Sequence, residues 1–258
     1  MSYKAVIFDW AGTTVDFGSF APMGVFVETF ADFGISVTID EAREPMGLPK
    51  RDHIKAMLNS PRIARSWEAA KGAPASEKDI DALYAVFVPK NETVAAKYAT
   101  LVPGTVEVMA NLRARGLKIG STTGYTRSIM KHVLPVAAQQ GYKPDNLVCS
   151  DDLPEGRPGP LGLYRCCADL GVHPLSSLIK VDDTVPGIRE GVSAGALTVG
   201  VALSGNAVGL SVDDLARLTD REVDSLREIA TAILLKAGAD HVIDTIADLP
   251  ALLDRLEI

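Results

Sequence analysis

Ala5-Val6-Ile7-Phe8-Asp9-Trp10-Ala11-Gly12-Thr13-Thr14 is the stretch that decides the fold. A short apolar run ends at an acid and gives way to a Gly/Thr turn, the pattern of a buried strand feeding a loop. The same pattern returns along the chain. Leu117 to Gly120 runs into Ser121-Thr122-Thr123-Gly124, and Asn146 to Cys149 runs into Ser150-Asp151-Asp152. Leu178 to Val181 runs into Asp182-Asp183-Thr184, and Ala196 to Ala202 runs into Leu203-Ser204-Gly205. Helical periodicity fills the gaps at Thr105 to Arg115, Arg127 to Gln139, Gly159 to Leu170 and Val185 to Ala194. Strands alternating with helices predict a doubly wound α/β fold on a parallel sheet. Ligands in such folds bind beyond the carboxyl ends of the strands, where each of these polar clusters falls.

Residues 20–99 break the alternation, with helical patterns and no convincing strand. Pro22 opens one helix, with Met23, Phe26, Val27, Phe30 and Phe33 on one stripe. Pro49 opens another that runs to about Asn59; Ser60-Pro61 and Ser76 mark further starts, and Pro89 is expected to interrupt the last. The expected division is an α/β core of residues 1–19 and 100–258 carrying an inserted helical domain of residues 20–99. After Ser211, two helical stretches and a short strand at His241 to Ile243 extend the core.

The chain has 258 residues, 47% of them hydrophobic, which excludes disorder and suffices for a sizeable core without staples. A net charge of -7 argues against wholesale binding of nucleic acid or anionic membrane. Three cysteines without metal-type spacing make neither a disulfide framework nor a zinc site. The first residues lack a signal-peptide core and no apolar run reaches membrane length, so a cytoplasmic location is expected.

The chemistry sits at the strand ends. Asp9 is placed to act as a nucleophile, Asp183 to share a Mg²⁺ with it, Thr123 to hold a phosphoryl oxygen, and Arg157, in Glu155-Gly156-Arg157-Pro158-Gly159-Pro160, to clamp the same group. Any one of these alone is more often a turn or cap residue; the four in this order are specific. They resemble the haloacid dehalogenase superfamily of phosphoryl-transfer enzymes, on Phe8-Asp9-Trp10-Ala11-Gly12-Thr13, Ser121-Thr122-Thr123-Gly124 and Val181-Asp182-Asp183. The resemblance implies a Rossmann-like core with an α-helical cap inserted after the first motif. Phosphatases of that superfamily carry a second Asp two positions after the nucleophile as acid and base; here that position is Ala11. An alkoxide leaving group needs such an acid, so this chain must expel its leaving group another way.

Met46-Gly47-Leu48-Pro49-Lys50-Arg51-Asp52-His53, Ala11-Gly12-Thr13-Thr14-Val15-Asp16-Phe17-Gly18 and Gly156-Arg157-Pro158 resemble the phosphonatase family, the phosphonoacetaldehyde hydrolases. That resemblance implies a Schiff base between Lys50 and the aldehyde, attack of Asp9 on phosphorus, and release of acetaldehyde and phosphate. It implies Mg²⁺ on Asp9, Asp183 and the Ala11 carbonyl, and a substrate held by Ala11, Met46, Gly47, Thr123, Gly124, Tyr125 and Arg157. His53 would relay protons for the imine, and the molecule would be a homodimer, with the Met23, Phe26, Phe30, Phe33 stripe either a dimer contact or internal core. The lysine has independent chemical support: breaking a C–P bond directly leaves a carbanion, and an iminium accepts those electrons. An ordinary lysine, with a pKa of about 10.4, is neutral in on the order of one molecule in 2,500 at pH 7. Lys50 therefore needs a depressed pKa. A helix N-terminus, an apolar stripe with Ile54, Met57 and Leu58, and the charge of Arg51 would each lower it.

Two departures stand out. Ser19 replaces a cysteine of some family members, and Asp182-Asp183 is followed by Gly187 where a second Asp is common, leaving open whether Asp182 touches the metal. Rival readings are a small-molecule phosphatase or dehalogenase of the same superfamily, which should tolerate loss of Lys50, and a phospho-ligand binding protein that binds without turnover.

Overall fold

The structure, a computed structural model, describes residues 3–258. Five parallel strands, β1 (Ala5–Phe8), β2 (Lys118–Ser121), β3 (Leu178–Asp182), β4 (Leu197–Val201) and β5 (His241–Ile243), form one sheet in the order β2-β1-β3-β4-β5. Strand side chains alternate between faces. Val6 and Phe8 enter one hydrophobic cluster, Ala5 and Ile7 the other. Helices cover both faces, so the strands read as continuous apolar runs.

One face packs against α6 (Thr105–Ala114), α7 (Arg127–Gln139) and α12 (Leu249–Arg255), through Met109, Leu112, Ile129, Val133 and Leu253. The other is covered by α8 (Leu161–Leu170) and α9 (Val185–Ala194), with α11 (Asp220–Ala237) adding Leu234 against Ile188 of α9. A short helix, α10 (Val212–Leu215), precedes α11. The register fixes the site. Phe8 stands opposite both Ser121 and Val181, so Asp9, Thr122 and Asp182 leave neighbouring strands at one level.

Between β1 and β2 lie α1 (Ala21–Asp32), α2 (Ile39–Arg43), α3 (Lys50–Asn59), α4 (Pro61–Lys71) and α5 (Glu77–Ala95). They share a hydrophobic cluster of their own, in which Phe26, Phe30, Ile54, Trp67 and Phe87 are buried. Capping boxes at Thr38/Glu41 and Ser76/Asp79 start α2 and α5, and proline fills the first turn of α1 and α4.

Two expectations change, and one open alternative closes. Asn146 to Cys149 forms no strand; it adds a single bridge, Thr122 to Val148, at the outer edge of β2. Pro89 does not interrupt α5, because Pro89 and Ala85 both face solvent and water can take up the carbonyl that the proline leaves without a donor. The Met23, Phe26, Phe30 stripe is internal core, with Phe33 packed at its margin 6.3 Å from the Trp67 ring, so it is not a free dimer face. No described helix is long and apolar enough to cross a membrane.

Candidate active site

Asp9 and Arg157 meet at the strand ends. Arg157 Nη1 lies 2.8 Å from Asp9 Oδ1 and 3.3 Å from Asp182 Oδ2. Its Nη2 donates to the Thr122 carbonyl at 2.9 Å and the Thr122 hydroxyl at 2.8 Å, and its Nε lies 3.0 Å from Glu190 Oε2. Lys180, wholly buried in β3, completes the set. It donates to Thr122 Oγ1 at 2.7 Å and sits 3.0 Å from both Asp182 Oδ2 and Glu190 Oε2. Charges this deep persist only when paired and hydrogen-bonded. Sequence reasoning missed Lys180, Glu190 and Thr122. The available signals were a lysine inside an apolar strand and a glutamate on the Gly187, Gly191, Ala194 face of α9.

The carboxylates divide in two. Asp182 accepts from the Thr184 amide at 3.0 Å and hydroxyl at 2.7 Å, and its other oxygen faces the two cations. Burial opposes its charge, yet Arg157 and Lys180 hold it below the usual carboxylate range. Asp183 accepts from Thr13 Oγ1 at 3.1 Å and the Asn206 amide at 2.8 Å and makes no ion pair among the described residues. Burial, then Asp9 and Asp182, push it well above its ordinary value; burial and Asp182 also raise Asp9. One oxygen from each of Asp9, Asp182 and Asp183 can be chosen so that all three lie within 4.8 Å. The backbone closes in tightly here, since a Cβ on Gly12 would collide with the Asp183 carboxylate. Buried, mutually repelling oxygens with too few cations are a donor set that suits a hard divalent ion.

Lys50 faces this cluster from the first turn of α3, with 3% of its surface exposed. Its Nζ lies 3.9 Å from Met46 Sδ, 5.0 Å from the Tyr125 ring centroid and 5.7 Å from that of Phe26, with no carboxylate at ion-pair distance among the described residues. Burial pushes its pKa down to about 8; Asp9 and Asp16 pull the other way and Arg157 assists. The expected contribution of Arg51 is absent. That side chain turns outward to Asp81 and Glu77, at 2.8 Å each, while Arg157 supplies the neighbouring positive charge. Ile54, Met57 and Leu58 are buried on the lysine's face as the spacing predicts.

Nine of the residues singled out from sequence line one cleft: Asp9, Ala11, Met46, Gly47, Lys50, Thr123, Gly124, Tyr125 and Arg157. Ser19 and Thr184 join them. Tyr125 keeps its hydroxyl, and Ser19 its Oγ, without a hydrogen-bond partner. The Thr123 hydroxyl accepts from the Tyr125 amide at 3.1 Å, leaving its own proton to donate. His53 does not line the cleft. It is buried behind Lys50, stacked 4.0 Å from Phe26, with Nε2 donating to the Ala42 carbonyl at 2.8 Å and Nδ1 unpartnered. Burial and the Lys50 charge push it well below its ordinary pKa, so it is neutral.

The segment carrying Met46 to Lys50 rests directly on the core. Gly47, at φ +94°, leaves no room for a Cβ against Thr184; a Cβ on Gly124 would come 2.8 Å from the Leu48 carbonyl, and one on Gly156 2.5 Å from Pro49. The cleft is therefore roofed.

A buried aspartate at the end of β1 lies among cationic side chains beneath the segment that carries Lys50, and the model of the haloacid dehalogenase-like hydrolases matches residues 3–195 of this chain, which makes it a hydrolase. A phosphonoacetaldehyde hydrolase of Paraburkholderia phytofirmans is 54% identical over 246 residues, covering 95% of this chain and 92% of that one. One from Vibrio cholerae is 46% identical over 256 residues, covering 98% and 94%. The crystal structure of a phosphonoacetaldehyde hydrolase-like protein from Oleispira antarctica superposes with a TM-score of 0.97 at 44% identity, over 99% of this chain and 93% of that one. The chain belongs to the phosphonoacetaldehyde hydrolase family of the haloacid dehalogenase-like hydrolases.

Proposed function

We propose that this enzyme hydrolyses the C–P bond of phosphonoacetaldehyde through a Schiff base on Lys50 and an aspartyl phosphate on Asp9, with residues 20–99 acting as the cap. The observation that carries the reading is Lys50 itself. A lysine buried without a carboxylate partner, its pKa down to about 8, faces an aspartate across one roofed cleft. At pH 7 such a lysine is neutral in roughly one molecule in ten, about two hundred times more often than a free one.

The neutral amine adds to the aldehyde carbon, and loss of water leaves an iminium. Arg157, Thr123 and the Gly124 amide hold the phosphonate oxygens. Asp9 attacks phosphorus; the C–P pair moves onto the iminium as an enamine, so no carbanion is released. Protonation at carbon and hydrolysis of the imine free acetaldehyde and Lys50. Water then cleaves the aspartyl phosphate to phosphate and Asp9. Tyr125, whose hydroxyl burial keeps protonated, can donate to the carbinolamine oxygen as it leaves. His53 is neutral with a free Nδ1, a form able to accept a proton from behind the lysine. Mg²⁺ held by Asp9, Asp183 and the Ala11 carbonyl would offset the carboxylate repulsion and neutralise charge on the phosphoryl oxygens. Exclusion of water by the roof protects the imine from early hydrolysis.

Borohydride added with substrate should fix a reduced adduct on Lys50, seen by peptide mass, while a coupled assay records equal release of acetaldehyde and phosphate. An adduct on another lysine, or turnover with none, removes the imine route. The family resemblance also supports a homodimer in the cytoplasm; light scattering giving a single-chain mass would remove the dimer.

A further inference from the structure

One arginine ties the helical insertion to two parts of the core at once. Arg43 ends α2 and is half-buried. Its Nη1 donates to the carbonyls of Gly18 at 2.8 Å and Ser19 at 3.2 Å, in the connection between β1 and α1, and to Asn206 Oδ1 at 3.2 Å. Nη2 reaches the Gly209 carbonyl at 3.5 Å. Asn206 answers, its Nδ2 donating to the Arg43 carbonyl at 3.2 Å. The backbone amide of the same asparagine donates to Asp183 Oδ2 at 2.8 Å. The 205–209 loop is shaped around the guanidinium, because a Cβ on Gly209 (φ +64°) would come 2.8 Å from Arg43 Cζ. The connection that Arg43 grips holds Asp16, Gly18 and Ser19 at positive φ, between 52° and 88°. Such backbone persists only where its surroundings hold it.

Arg43 makes no ion pair with a carboxylate among the described residues; its named bonds all go to oxygens outside the helices of the insertion, on the 18–19 connection and the 206–209 loop. We propose that Arg43 and Asn206 form a latch that couples seating of residues 20–99 to the position of the Asp183 carboxylate. Both are positioning residues: Arg43 acts through its contact with Asn206, and Asn206 through its amide bond to Asp183. The proposal rests on the reading of those residues as a cap over a cation-dependent site. Unlatching frees the asparagine loop and loosens the amide bond to Asp183. By reciprocity, a cation on Asp9 and Asp183 favours the seated cap as much as the seated cap favours the cation.

The test is made on the full chain with Arg43→Ala, Arg43→Lys, Asn206→Ala and the Ala/Ala pair. Calorimetric titration with Mg²⁺ alone should show the dissociation constant of Arg43→Ala raised about fivefold. The KM for phosphonoacetaldehyde should rise about tenfold while kcat changes less than about threefold, since bound substrate re-forms the seated state. Hydrogen exchange should quicken at amides 16–20. Arg43→Lys, which keeps one donor but loses the fork, should recover part of each effect. The double variant should be no worse than the weaker single, as residues acting through one contact are not additive. Unchanged Mg²⁺ affinity and KM alongside a lowered melting temperature would reduce Arg43 to packing and overturn the latch, as would additive singles. Absence of turnover in the parent protein would overturn the functional reading, while titration and exchange still judge the latch.

Discussion

Lys180 and Lys50 are the two lysines that the described residues bury, and their surroundings are opposite. Lys180, in the core, has Asp182 and Glu190 each at 3.0 Å and the Thr122 hydroxyl at 2.7 Å. Lys50, in the insertion, has a thioether, two aromatic faces and no carboxylate at ion-pair distance. In the core the lysine orients Asp182, Glu190 and the Thr122 hydroxyl around Asp9 through these contacts. The proposed imine route needs, in the insertion, an amine that can give up its proton. One residue type serves both because burial with partners retains charge and burial without them disfavours it.

The sharpest way to break this contrast is to remove each half's reacting group. Asp9→Asn and Lys50→Arg should each lower turnover on the order of 10⁴-fold or more. They should differ in the borohydride trap: in the proposed route imine formation precedes attack on phosphorus, so Asp9→Asn should retain the adduct on Lys50 and Lys50→Arg should lose it. Equal trapping in both variants would dissolve the division of labour between insertion and core.

The next effect is on stability. Lys180→Met leaves Asp182 and Glu190 facing each other with Arg157 alone, and breaking a buried pair from one side costs about 3–5 kcal/mol. Chemical denaturation should show that loss, with weaker phosphate binding as Thr122 and Arg157 lose their common partner. A neutral result would mean that the core grid is not held by charge.

How far the sequence reached follows the same contrast. The strand ends at Asp9, Thr123 and Asp183 were legible because parallel strands covered on both faces read as unbroken apolar runs ending in polar turns. Lys50 was legible as a candidate because Ala11 stands where a phosphatase would carry its acid, and the structure places both in one cleft. Lys180 and Glu190 were not, because each looks like an ordinary charge in its own element and only the alignment of β3 beside α9 joins them. Asn146 to Cys149 read as a strand on its apolar content, yet lies at an edge where only one bridge forms. The outward direction of Arg51 was likewise invisible, since Glu77 and Asp81 reach it from α5, 26 and 30 residues away.

Lys50→Met inverts the usual sign of a substitution in an active site. Lys50 has a folded pKa of about 8 against an ordinary 10.5, so between those values the unfolded chain binds more protons and stability rises with pH. Below pH 8 the buried lysine must either charge in apolar surroundings or give up its proton, a penalty of roughly 3 kcal/mol relative to the unfolded chain. The methionine variant, inactive, should therefore be more stable than the parent at pH 7 by up to that amount, the gain shrinking from pH 8 and gone near 10.5. Parallel stability curves for the two proteins across this range would remove the claim that Lys50 is strained. In the parent the same titration should appear as a rising limb of kcat/KM that levels off near pH 8.

The smallest effect tests what the sequence misplaced. Arg51 adjoins Lys50 in the chain, and adjacency alone suggests that its charge helps to deprotonate the lysine. Its guanidinium is in fact partly exposed and spent on Glu77 and Asp81, each 2.8 Å away and each more exposed still. Exposed pairs are worth about 0–1 kcal/mol, so Arg51→Ala should lower stability by less than that. It should leave the pH limb of kcat/KM where it was, because Arg157, buried against Asp9, is the arginine that Lys50 senses. A limb displaced upward by Arg51→Ala would return the depressed pKa to the insertion's own charges and take it from the core.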